Sequence, residues 1–449
     1  MSAKSYPVVI LGAGLTGLSV GYHLGTPSLI LEREEEVGGL ARTHAEEGFT
    51  FDCTGHLLHL RDKRVAGLVD QILPGAFARH ERRALIFSKG VYTAYPFQAN
   101  LHGLPLEVVK ECIAGFVRAE VRRAAEGEPD LETIGFREWS ERTFGAGIAD
   151  HFLLPYNAKL WRTDLDEIEC GWVSWSIPRP TLQEILDGAF GATVRGLGYN
   201  PMFLYPRQGG ISVLPQAFAL RGPEVRLGRT VTSVDARARE VHLSTGEVVA
   251  YERLVSTIPL DRLLRITRGL PSDLPRIGEG LRAVKVLNIS LGVDRDAVSG
   301  AHWIYFPEKE YSFYRVGFPA NLSRTLAPRG CSSLYVERSL LRDEPFDPEE
   351  VIERAVDDLR RAGILWKGDR LVYRRLSVLD PAYVIYDRFR AKNLPEAHRA
   401  LNEAGILSAG RFGSWEYSSM EGAIKTGMEL AERLSGAVPE RPPVLRTGS

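Results

Sequence analysis

Near the start of the chain Gly12, Gly14 and Gly17 are spaced as GxGxxG, a pattern that suits a dinucleotide. The first glycine permits a tight turn, the second lets a pyrophosphate approach the backbone, and the third lets a helix pack closely on a strand. Glu32 follows about twenty residues after Gly12, where an acid can accept a hydrogen bond from a ribose hydroxyl. Far down the chain, GRFGSWEYSSMEGA at 410–423 sets Arg411, Trp415 and Tyr417 among glycines that let backbone come close to a ligand. The four cysteines, Cys53, Cys112, Cys170 and Cys331, form no CxxC pair. They indicate neither a zinc site nor a disulfide framework, and are expected as buried free thiols.

These residues need particular elements to hold them. PVVIL at 7–11 has the apolar run of a buried strand, LTGLSVGYHL follows the glycines as a helix, and SLILE at 28–32 returns as a second strand. That is a βαβ opening, with the helix N-terminus presenting free amides and a partial positive charge to an anion. LEVVKECIAGFVRAEVRRAAE, ending at Glu126, has helical spacing, and its Lys and Arg belong on a solvated face. The segment 225–256 breaks into β-branched runs separated by turn residues, a meander. More strands are expected at VKVLNISLGV, HWIYFP and SFYRVGF, and helices at 349–362 and 422–435.

Composition narrows the function. The 449 residues carry 56 basic and 57 acidic side chains, so bulk charge gives no case for nucleic acid or an anionic membrane. The chain is long enough for two or three domains. Its N-terminal apolar run is short and broken by glycines, unlike a signal peptide, and no window reaches the roughly 18 apolar residues of a membrane span. With its cysteine usage, this makes a reducing cytoplasm the expected location. On these residues alone the dinucleotide is NAD or FAD.

The run EEEVGGLARTHAEEGFTFDCTGHLLH, from residue 34, resembles the flavin-binding N-terminus of the amine oxidase, protoporphyrinogen oxidase and UDP-galactopyranose mutase superfamily. The resemblance continues in YPRQGGISVLPQAFA at 205–219, the strand around Val231, STIPL at 256–260 and GRFG at 410. It implies FAD, held by Gly12, Gly14, Gly17, Glu32, Arg33, Gly38, Gly39, Leu40, Arg42, His56, Val231, Gly410 and Arg411. The implied fold is α/β, a Rossmann-like FAD-binding domain with a helical insertion and an antiparallel-sheet substrate domain. The FAD domain takes segments 1–95, 201–265 and 391–436; residues 96–200 form the helical region, 266–390 the sheet-rich region and 437–449 a flexible tail.

Within that superfamily YPFQANL at 95–101, LPYNAKLW at 154–161, ECGW at 169–172, HWIYFP at 302–307, FYR at 313–315, AY at 382–383 and GRFGSWEY at 410–417 are similar to UDP-galactopyranose mutases of the eukaryotic-type branch. The resemblance implies interconversion of pyranose and furanose forms of UDP-galactose or a related sugar nucleotide. In such enzymes the N5 nitrogen of reduced FAD attacks the anomeric carbon, with no net oxidation. NADPH and NADH are candidate reductants, and oligomerisation is left open. Tyr95, Phe97, Gln98 and Asn157 would hold the uridine, Trp303 and Tyr305 would border the sugar and diphosphate, and Arg315, Tyr383 and Tyr417 would bind the diphosphate. His56 would sit beside the flavin, with Arg315 its partner in catalysis. On residue type alone the strand aromatics read as core, Arg315 as a surface ion pair and His56 as structural.

Three positions depart from the mutase pattern. A second diphosphate arginine falls on Ser176, with Arg179 the nearest basic residue; an asparagine falls on Glu421 and a tyrosine on Leu322. Two further readings therefore stand beside the mutase: an amine-oxidase-type FAD oxidoreductase, and a flavin- or nucleotide-sugar-binding sensor.

Overall fold

The computed structural model describes residues 4–173, 177–194, 196–198 and 201–436; Ser176 and the tail from 437 lie outside them. The first apolar run is strand β1 (Lys4–Leu11). At Gly12, with φ of +98°, the chain turns into helix α1 (Leu15–His23) and returns as β2 (Ser28–Leu31), buried along its length. Strands β1 and β2 pair in parallel, and β1 also pairs in parallel with Val248–Ser256.

Around these grows an eight-stranded sheet. The meander expected at 225–256 contributes Val231–Asp235, Glu240–Leu243 and Val248–Ser256, antiparallel to one another. Glu224–Arg226 pairs with β2, and Ile406–Ser408 arrives from near the other end of the chain to pair with Val248–Ser256. Both faces are covered, as a largely parallel sheet requires. One face packs Val9, Leu11 and Leu254 against helix Arg388–Glu403. The other packs Val8 and Ile10 against α1 and helix Met420–Leu434. Dispersed segments of the chain thus build one layer.

A second, seven-stranded sheet contains Ala283–Val293, second from one edge, whose eleven residues are all buried. It is antiparallel apart from the pairing of Trp303–Tyr305 with Ala84–Ser88. Helix Pro348–Arg361 covers one face, its Val351, Ile352, Ala355, Val356 and Leu359 repeating at helical spacing against Leu287, Ile289 and Leu291. The helical region carries Leu106–Glu126, Phe136–Ile148 and Leu154–Trp161 around a core of Phe97, Phe116 and Phe144. Among the described residues no helix is long and apolar enough to cross a membrane.

Candidate active site

Between the two sheets opens a cavity of about 580 Å³. At one end lie the loop after β1 and the N-terminus of α1. A Cβ on Gly17 would come within 2.0 Å of the Gly12 carbonyl oxygen, and a Cβ on Gly39 within 3.2 Å of the Gly14 Cα. Bare backbone is what allows these segments to meet. Glu32, at the end of β2, accepts from the Ala13 amide at 2.7 Å and the Glu34 amide at 3.0 Å. Arg42 donates from Nε to the Gly39 carbonyl at 2.8 Å and from Nη1 to Glu34 at 3.1 Å. Arg33, more exposed, pairs with Glu34.

This end fits a dinucleotide. The first turn of α1 has no side-chain cap, so its amides are available to an anion. Arg229 lines the same end, and its buried Nε has no partner among the described residues. Gly410, with φ of +79°, packs against Thr16 with no room for a Cβ and closes the cavity from the C-terminal side.

The other end is built of phenols and guanidinium groups. Arg315 makes a two-pronged ion pair with the fully buried Glu337, Nε and Nη2 each donating at 2.9 Å. Burial works against the Arg315 charge, but Glu337 more than offsets it and holds the pKa well above the ordinary arginine value. Nη1 carries no hydrogen bond to the described residues and remains available to a ligand. Arg411 makes no ion pair among the described residues. It donates to the carbonyls of Ser418 and Ala382 at 3.2 and 3.0 Å and lies 4.7 Å from the Tyr417 ring centre and 5.3 Å from that of Tyr383. His56 sits where both guanidinium groups are felt: burial first, then Arg411 and Arg315, hold its pKa down to about 4. It is therefore neutral at physiological pH.

Aromatic rings complete the wall. Tyr305 meets Tyr95 at 5.5 Å and Tyr156 at 5.4 Å between ring centres, and Trp161 meets Tyr383 at 6.0 Å. The guanidinium of Arg82 lies 4.6 Å over Tyr95.

Of the residues proposed from the sequence, Gly12, Gly14, Glu32, Arg33, Gly38, Gly39, Leu40, Arg42, His56, Tyr95, Val231, Trp303, Tyr305, Arg315, Tyr383, Gly410, Arg411 and Tyr417 line this one cavity. Gly17 lies behind it as the packing point of helix on turn. Phe97, Gln98 and Asn157 are outside the lining. Phe97 stacks on Phe152 in the core. Gln98 donates from Nε2 to the Pro178 carbonyl at 2.7 Å, and its buried Oε1 has no partner among the described residues. Asn157 accepts from Trp161 Nε1 at 2.9 Å and so orients a ring that does line the cavity.

The three departures also take definite places. Arg179 points outward into ion pairs with Glu120 and Glu128, so it leaves no charge for the cavity. Glu421 accepts from the backbone amides of Arg61 and Asp62, which spends its carboxylate on the loop after His56. Leu322 packs with Trp303 and Phe203. Trp415 is wholly buried at φ of +52°, its carbonyl accepting from Arg390 Nε at 2.7 Å; it shapes the turn between Arg411 and Tyr417.

Sequence reasoning passed over Glu337, Tyr335, Tyr386, Arg229 and Arg262. Glu337 alone carried a signal. An acid in the apolar strand SLYVERSLL must find a cation once buried, and Arg315 lies directly across the ladder.

A parallel-layered domain with a dinucleotide cradle, joined to a sheet-rich lobe across an arginine- and phenol-lined cavity, defines the class of dinucleotide-binding enzymes. The sequence matches the family described as flavin containing amine oxidoreductase over residues 15–435, and the chain belongs to that family. The fold is similar to that of a reduced UDP-galactopyranose mutase, with a TM-score of 0.92 and 29% identity, covering 100% of this chain and 97% of that one. Wild-type putrescine oxidase bound to putrescine has a TM-score of 0.67 at 16% identity, covering 96% of this chain and 99% of that one. An oxidoreductase from Methanosarcina mazei has 0.63 at 14%, covering 95% and 99%; these two likenesses speak to fold alone. An inactive all-trans-retinol 13,14-reductase from Danio rerio is 41% identical over 49 residues, 10% of this chain and 8% of that protein's length.

Proposed function

We propose that the protein is a flavin-dependent mutase interconverting pyranose and furanose forms of a sugar nucleotide, UDP-galactose or a close relative. The observation that carries this reading is that Arg315, Tyr305, Tyr383 and Tyr417 line the same cavity as the glycine loop, with Arg411 between them and Gly410. It stands in a chain whose backbone follows a reduced mutase along its whole length.

In this reading Gly12, Gly14, Glu32, Gly38, Gly39, Arg42 and Gly410 hold FAD, with NADPH or NADH as the outside reductant. Reduced flavin supplies a nucleophilic nitrogen for an anomeric carbon and is not consumed. The protein's own part is binding and charge placement. Arg411, next to Gly410, would face the flavin, while the free Nη1 of Arg315 holds a departing diphosphate and the phenols of Tyr383 and Tyr417 donate to its oxygens. The tilted rings of Tyr95 and Tyr305, with Tyr156 edge-on against Tyr305, keep water from the reacting carbon. Neutral His56 adds no positive charge and accepts or donates through one ring nitrogen.

One observation favours a second reading. Glu337 neutralises Arg315, and Arg179 is turned away, which lowers the positive potential an oxidase acting on an uncharged or cationic substrate would not need. Purified protein reduced anaerobically with dithionite and given UDP-galactopyranose separates the two. Formation of the furanose isomer only after reduction supports the mutase. Absence of both conversion and UDP binding moves the assignment to the oxidoreductase.

A further inference from the structure

Gly55 and Gly317 raise a question that the binding site as described leaves unanswered. Neither has a positive φ, so neither backbone requires glycine. What each requires is space for the same ring. A Cβ on Gly55 would lie 2.0 Å from the Tyr335 hydroxyl oxygen, and a Cβ on Gly317 would lie 2.1 Å from Tyr335 Cζ. Any side chain at either place would displace the phenol. Gly317 faces Tyr335 across the ladder between Arg315–Gly317 and Ser332–Leu341, while Gly55 immediately precedes His56 in the loop after Phe49–Asp52. Two distant segments are thus kept bare around one tyrosine.

The ring is 7% exposed and lines the cavity. Its hydroxyl makes no hydrogen bond to the described residues. Unlike the sealed, unpartnered hydroxyls of Tyr251 and Tyr314, it keeps contact with the cavity. Strand alternation puts Tyr335 on the same face as Glu337, beside the Arg315 pair. Burial holds its pKa far above the usual phenol range despite the pull of Arg315; the group stays protonated and can donate. A purely structural tyrosine would not need its hydroxyl, and a phenylalanine would fill the same seat.

We propose that Tyr335 contacts the bound molecule as a hydrogen-bond donor at the reacting end of the cavity, seated there by Gly55 and Gly317. The partner is an oxygen or nitrogen acceptor, either of the flavin or of the sugar nucleotide; only the second source rests on the proposed function.

The test compares FAD-loaded wild type with Tyr335→Phe, which removes one hydroxyl and leaves the ring. The expected result is an unchanged melting temperature together with a change in one of two readouts. A shifted flavin absorption band and midpoint potential, measured without any nucleotide, identifies the flavin as acceptor. A fall in UDP affinity of about 2- to 12-fold, by calorimetry on reduced protein, identifies the nucleotide; that range corresponds to one neutral hydrogen bond. Gly317→Ala, which pushes the ring from its seat, should reproduce the same readout. If it does not fold, Tyr335→Phe decides alone. Tyr335→Phe indistinguishable from wild type in both readouts overturns the proposal. If wild type itself binds no UDP, the mutase reading fails, and the flavin readout alone decides the role of Tyr335.

Discussion

The Arg315–Glu337 pair joins two effects that a double-variant cycle can separate. Glu337 is fully buried, while the Arg315 side chain keeps 20% of its surface open on the cavity side. Replacing Arg315 by methionine leaves a buried carboxylate without its cation, which costs about 3–5 kcal/mol. The residual opening to solvent puts the expected loss near the lower bound, about 3 kcal/mol. Replacing both, Arg315→Met with Glu337→Leu, removes the stranded charge along with its partner, and most of that loss should return. Ligand affinity should behave differently. The free Nη1 donor is absent from both variants, so each should bind UDP about 10- to 200-fold more weakly, the equivalent of one charge-assisted contact of about 1.5–3 kcal/mol. Urea unfolding of the FAD-loaded proteins and calorimetric titration with UDP give the two quantities. Stability recovered and affinity not recovered is the expected crossed pattern. A double variant as unstable as the single, or one that regains UDP binding, would refute the reasoning.

Three further outcomes follow from the same geometry. His56 has a folded pKa of about 4, below its ordinary value near 6.5, so its stabilising share is complete above about pH 6.5 and is lost as pH falls toward 4. His56→Gln should therefore flatten part of the acid limb of a stability–pH curve; an identical limb counts against burial of the imidazole. Glu421→Asn withdraws a carboxylate from the Arg61 and Asp62 amides and should lower stability by about 1–3 kcal/mol while leaving UDP affinity unchanged. A changed affinity would place residue 421 against the ligand after all. Gly17→Ala drives a methyl group into the Gly12 carbonyl oxygen and should give protein purified without yellow colour, measured as the flavin-to-protein absorbance ratio.

The parts of the architecture set by local pattern were legible in the sequence. Alternating and continuous apolar runs marked β1, β2 and Ala283–Val293, and the glycine spacing marked the turn into α1. What spacing could not show is which face of a strand meets a cavity. In SLYVERSLL, period-two alternation puts Tyr335 and Glu337 together, but only the pairing of that strand with Arg315–Gly317 turns the face toward His56. Asn157 shows the converse. Its hydrogen bonds, to the Leu153 carbonyl and from Trp161, each span four residues, the local pattern of a helix face. A polar side chain that resembles a ligand contact by type is here supporting a ring. Arg179 and Glu421 carry charges whose direction depends on partners 59 and 360 residues away, which no local window contains.

The nucleotide layer is closed by a contact between its two extremes. The Ser19 hydroxyl donates to the Ile424 carbonyl at 2.7 Å across 405 residues, and Gly427 packs so closely on Ser19 that a Cβ would lie 2.5 Å away. At about 5–20 residues per second of synthesis, the glycine loop leaves the ribosome about 20–80 s before the helix that backs it exists. During that interval the face of α1 that will meet Met420–Leu434 is open, and only its side toward Leu214 and Phe218 gains cover earlier. A truncation that removes Met420–Leu434 should abolish flavin binding at a motif four hundred residues upstream.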